Sequence, residues 1–328
     1  MTRVRAVPLP SEASPIDRFA AAFLCTLNAG QSASEEALAE FTRARFELGP
    51  FPRDADLLRV ARELGVHTAA LPDRAPMDGV NYSHPRSGVA IHVRDDLSRA
   101  RFETTFGHEL REVIESAFRR VDSDYPAIPT HDNRRMNSHS DTFASALLMQ
   151  KEPSQRLLET LGYDPITFAN QTGRSLSSVI VRMQTLFPKG CGLPAPIAGY
   201  WLYEPPVRTA RGDSGSDLVV RQVVVLNGFS LSSAKPASSA LARLLPKRHS
   251  SMMDSEDAYT TALLGAPGMR TLPALDMFGT ERYIVFTEPI VRGTVATKVV
   301  LVATRAECLP LMSPWLDRVG LLEGARAG

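Results

Sequence analysis

Residues 101–115 read RFETTFGHELREVIE, and this stretch decides the fold. Wound at about 100° per residue, it puts Phe102, Phe106, Leu110, Val113 and Ala117 on one side, a stripe that must pack on a core. His108, Glu112 and Glu115 fall on the opposite side at one-turn steps, with Thr104 and Thr105 beside them. Side chains at i and i+4 on one face can reach the same point, so His108 and Glu112 can meet there, and Glu109 flanks that point. Zinc peptidases use this spacing: two ligands one turn apart grip the metal, and the Glu between them takes a proton from the metal-bound water. A solvated helix face also carries His and Glu at this spacing, so the surroundings must decide.

Outward from this helix, expected over 97–120, a strand GVAIHV (88–93) precedes it, and VHTAAL (66–71) reads as another. Pro72, Asp73, Pro76 and Gly79 supply turns between the two. Helices are expected at 15–28, 33–47 and 54–64, the second capped by Ser34. Residues 122–133 are polar with two prolines and read as a loop. Further helices follow at 138–150, 153–161 and 175–187, with Gly162 and Asp164-Pro165 as breakers between the last two.

The order strand, His-Glu helix and then DTFASALLMQ (141–150) resembles the ImmA/IrrE metallopeptidase family, from about residue 55 to residue 188. That family places a strand, a helix of the form FxxxHExxH and a helix reading ExxANxFAxxLLMP. The resemblance implies a zincin-like peptidase domain that holds zinc and cuts a separate XRE-type repressor. It makes Glu109 the general base and His108 a metal ligand. Two positions depart from the pattern. The second histidine of the family is Glu112 here, and its third ligand, a glutamate, is Asn137. Asn is a poor zinc ligand, because it carries no charge. Asp141, one turn after Asn137, could supply the third ligand instead. His139, and Cys191 in GCGLP (190–194), are further candidates. A His-Glu-Asp set is oxygen-rich and suits manganese or iron as well as zinc. Loss of the metal stays open beside it.

Three cysteines, far apart, make no disulfide framework and point to a reducing cytoplasm. FAAAFLCTL (19–27) follows Asp17 and Arg18, so it reads as a buried amphipathic helix and not as a secretion signal. No apolar run is long enough to span a bilayer. The net charge is +1, which disfavours a broad grip on nucleic acid, although Lys235 and 243–249 could form a local basic patch. No helix-turn-helix with a basic recognition helix is apparent.

The expected organisation is α+β: a disordered lead-in (1–14), a peptidase-like domain with a mainly helical N-terminal part (15–190), and a GAF-like α+β sensor domain (191–328). In the last, strands are expected at 197–203, 217–226, 281–288 and 295–303, with helices at 236–245 and 254–264. Trp201, Tyr203 and Arg221 exemplify groups that could line its ligand pocket. Two functions follow. One is a stress-responsive, metal-dependent endopeptidase cutting a repressor; the other is an inactive peptidase fold serving as ligand sensor or scaffold.

Overall fold

The computed structural model describes residues 12–27, 34–84, 88–126, 132–187, 197–205, 218–225, 266–273, 282–293 and 295–321. Most of the expected lead-in, the helices expected at 236–245 and 254–264, the basic stretch 243–249 and Cys191 lie outside these residues. The chain is α+β and divides into two compact units, Met1–Ser154 and Gln155–Gly328.

The first unit opens with three helices, α1 (Pro15–Leu24), α2 (Glu35–Arg45) and α3 (Asp54–Glu63). Each start is chemically marked. Ser14 caps α1 by accepting from the Asp17 amide at 3.2 Å, and Pro15 takes the first helical position, where its missing N–H is not needed. Ser34 caps α2 through the Ala37 amide at 3.1 Å, as expected.

A three-stranded sheet follows, β1 (Val66–Leu71), β2 (Gly79–His84) and β3 (Gly88–Arg94), in the order β1-β3-β2. β1 runs parallel to β3, and β2 runs antiparallel to it. The sequence reading left β2 out. Its residues GVNYSH carry only Val80 and Tyr82 as strand formers, and the turn residues before them masked it. In β3, Val89, Ile91 and Val93 point alternately into the core.

The long helix α4 (Arg99–Val121) and α5 (Asn133–Leu148) complete the unit. Phe106, Leu110, Val113 and Ala117 are all buried, and Phe102 packs half-buried beside them, so the expected stripe is the core face. Each large side chain buried there contributes about 1.5–3 kcal/mol. The opposite face carries His108, Glu112 and Glu115, and a face of that composition is usually wet. At Glu115 it is not: that carboxylate is 1% exposed and pairs with Arg111 at 2.9 Å, while Arg111 also grips Glu35 of α2. Periodicity assigned Glu115 its side of the helix correctly, but a second layer of helix covers that side.

α4 and α5 cross at small residues. A Cβ on Gly107 would stand 3.0 Å from Ala144 Cβ and 3.2 Å from Ala144 Cα. Gly107 therefore lets α5 approach α4, and it sits next to His108. Arg43 of α2 donates to the carbonyls of Ala146 and Leu147, fastening the last turn of α5.

The second unit begins within α6 (Lys151–Thr160), followed by α7 (Pro165–Thr172) and α8 (Leu176–Leu186). From sequence alone Asp164-Pro165 reads as a breaker, and α7 is not expected there. In fact Asp164 caps the helix through the amides of Ile166 and Thr167, and Pro165 is its first residue. A five-stranded antiparallel sheet contains β4 (Ile197–Glu204), β5 (Val219–Val225), β6 (Gly268–Pro273), β7 (Arg282–Arg292) and β8 (Val295–Arg305), in the order β5-β4-β8-β7-β6. Four of these were expected, whereas β6, GMRTLP, carries too little strand signal. A 3-10 helix (Ala306–Met312) and α9 (Ser313–Arg318) follow. Trp201 and Tyr203 are buried side chains of the second unit, and the Arg221 side chain lies outside what is described. Glu288 of β7 accepts from the Trp315 indole at 2.6 Å and from Arg318 at 2.8 and 3.0 Å. Among the described residues, no helix is long and apolar enough to cross a membrane.

Candidate functional site

The His-Glu face of α4 opens onto a cleft of about 390 Å³ lined by Asp78, Gly79, Arg101, Thr104, Thr105, His108, Glu109 and Asp141. β2 forms one wall. Its first residue, Gly79, packs closely on α4: a Cβ there would stand 2.6 Å from Thr105 Cγ2 and 3.1 Å from Glu109 Oε1, so a larger residue would push those side chains aside. Two residues on, Asn81 reaches the helix. Its amide donates to Glu109 at 2.7 Å and to Glu112 at 2.8 Å. Sequence reasoning missed Asn81, because its role depends on β2 lying against α4, a pairing of distant segments.

His108 sits at the centre. Its Nδ1 is 2.8 Å from Asp141 Oδ1, and its Nε2 is 3.2 Å from Glu112 Oε1. The structure thus brings together four of the expected residues, His108, Glu109, Glu112 and Asp141. Asn137 is exposed on α5 and lines no part of the cleft. His139 turns to the other network, with Nδ1 2.7 Å from Glu35 Oε1.

The electrostatics follow from these contacts. Partial burial works against charge on His108, but hydrogen bonds and charge from Asp141 and Glu112 outweigh it and push the imidazole up to about 10. It is an imidazolium at neutral pH, donating from both nitrogens. The Glu112 carboxyl is held below its ordinary value, chiefly by the His108 bond, with burial opposing and Asn81 assisting. Glu109 moves the other way: burial raises it, the Glu112 charge adds to this, and the Asn81 bond and His108 charge pull back.

A catalytic zinc takes three protein ligands and keeps one position open. The residues present do not fit that requirement. Nδ1 and Nε2 lie on opposite edges of the imidazole, so an ion on the Nε2 and Glu112 side is beyond the reach of Asp141 on the Nδ1 side. Asp141 then has the place of a carboxylate that orients a histidine, not of a ligand. Only His108 and Glu112 remain on one side, and Asn137 adds no charge. Among the described residues, the three acids that come within 4.8 Å of one another are instead Asp73, Asp95 and Asp96, all exposed.

No family model and no curated protein matches the chain. Among solved structures, a Mycobacterium tuberculosis transcriptional regulator is similar to it, with a TM-score of 0.51 and 14% identity over 92% of this chain and 83% of that chain. At that identity the likeness is one of fold: this chain shares the α+β architecture of a transcriptional regulator.

Proposed function

We propose that the chain is a regulatory protein acting on transcription. Its first unit is a zincin-like scaffold of the ImmA/IrrE kind that has given up the metal and binds without cutting. Its second unit, built on the five-stranded antiparallel sheet, is a GAF-like ligand sensor. One observation carries the reading: both nitrogens of His108 are taken by carboxylates, Asp141 at 2.8 Å and Glu112 at 3.2 Å, so a proton does what a divalent ion does in a peptidase. Asn81, bridging Glu109 and Glu112, completes a network with its donors matched to its acceptors. An XRE-type repressor, the substrate class of the family resembled, is on this reading a partner held rather than cut. The resemblance to a transcriptional regulator supports the regulatory part.

The second reading is the endopeptidase. The intact His108–Glu109 pair favours it, and so does the open cleft beside it, with Glu109 raised towards the range of a useful base. Glu109→Gln separates the two. Gln keeps the shape and still accepts from Asn81, but it cannot act as a base. Transcript profiles of cells carrying wild type, Glu109→Gln and a deletion are the measurement. Glu109→Gln is expected to match wild type. A profile that matches the deletion restores the peptidase.

A further inference from the structure

Among the described residues, β1 is an edge strand. In the order β1-β3-β2 it has a strand neighbour on one side, and its register with β3 runs without interruption over six residues. His67, Thr68, Ala69 and Ala70 are exposed in succession. Proteins usually blunt such an edge with lysine, proline or a bulge, since unpaired N–H and C=O groups recruit other strands. VHTAAL carries none of these devices.

Beside the strand lies an apolar groove of about 240 Å³. Ile91, Val93 and Phe106, each nearly fully buried, are the deepest of its lining residues; Phe102 is half-buried, and Leu58 is 38% exposed. Asp95 also lines it, and its carboxylate belongs to the group with Asp73 and Asp96. Asp73 follows β1 by two residues. Arg94 already engages Asp96 at 2.8 Å. Asp73 is raised by its hydrogen bond to Asp95 and by the Asp95 charge, so these two carboxyls crowd each other. Open edge, apolar groove and acidic end are continuous through Asp95.

We propose that this surface docks an extended segment of a partner protein, which adds an antiparallel strand to β1, seats one large apolar side chain in the groove, and sets a lysine or arginine against Asp73 and Asp95. Backbone pairing supplies affinity, and the pocket and charge supply selection. Antiparallel addition brings the partner's N-terminal end to Asp73, so the basic residue precedes the apolar one in the partner's sequence. The inference stands apart from the His108 site and holds whether or not that site takes a metal.

The probe is a fluorescein-labelled, acetylated peptide Lys-Lys-Thr-Val-Thr-Leu-Thr-Val, beside a copy with both Lys replaced by Glu. Binding to the full chain is read by anisotropy, and hydrogen exchange locates it. The Lys peptide is expected to bind and to slow exchange at residues 66–71. Replacing both Asp73 and Asp95 by Asn is expected to weaken binding roughly fivefold. Ala70→Asp, at an exposed position that leaves the fold intact, is expected to abolish the slowing. Three results overturn the proposal: no slowing at roughly millimolar peptide, equal binding of the Glu copy, or a wild-type dimer in sedimentation that Ala70→Asp converts to monomer. The last would assign the edge to a second copy of the chain.

Discussion

Arg111→Ala is expected to unfold the first unit or leave it barely stable, while the second unit stays folded. The guanidinium is 1% exposed and bonds Glu35 through two nitrogens, at 2.6 and 2.9 Å, and Glu115 at 2.9 Å. Glu35 and Glu115 are themselves buried. Removing the cation strands two carboxylates out of water. His139 and Arg119 remain near them, at 2.7 and 3.7 Å, and offset only part of the penalty. Breaking a buried pair by removing one partner costs about 3–5 kcal/mol. That is a large share of the roughly 5–15 kcal/mol that holds a domain together. The two units offer an internal control, because the two tryptophans, Trp201 and Trp315, lie in the second. In Arg111→Ala, amide exchange in α4 should become fast while the tryptophan fluorescence transition in urea stays where it is in wild type. Unchanged protection in α4 would show that the Arg111 network is dispensable. Replacing Glu35, Arg111 and Glu115 together by apolar residues should recover most of the loss, since the three buried charges are then removed together.

The second large effect is alkaline. His108 titrates near 10 in the folded chain, against an ordinary value of 6.5. A raised folded value means that its stabilising contribution is complete below about pH 6.5, declines through the interval and is gone above about pH 10. The full shift overstates the energy, because Asp141 is 63% exposed and screened by solvent. About 2 kcal/mol is a fair expectation for what is lost between pH 7 and pH 10.5. Other groups titrate there too, so the informative quantity is the difference between wild type and His108→Gln in urea unfolding followed by circular dichroism. That difference should favour wild type at pH 7 and shrink towards zero by pH 10.5. A pH-independent difference would mean that His108 is neutral in the folded chain.

The helical half of this architecture was legible because its signals are local. The stripe from Phe106 to Ala117 has helical period, Ser34 is an ordinary cap, and FAxxLLM places Phe143, Leu147 and Met149 in the core. What stayed hidden depends on contacts between distant segments. β2 is a strand because β3 pairs with it, not because GVNYSH demands it. Glu115 is buried because α2 supplies Glu35 to share its arginine. At the site, spacing alone put His108, Glu109 and Glu112 together. No spacing says which ring nitrogen Asp141 takes, and the proposal of a metal-free site rests on that detail. Asn81 has no local signature at all.

The most direct test of the central claim is the metal content of the purified full chain after exposure to zinc and to manganese, with His108→Ala alongside, by elemental mass spectrometry. His108 and Glu112 alone should hold neither ion through desalting, so wild type and variant should both come out with far less than one equivalent. Close to one equivalent in wild type, lost in His108→Ala, would contradict the account and return the site to a working metallopeptidase.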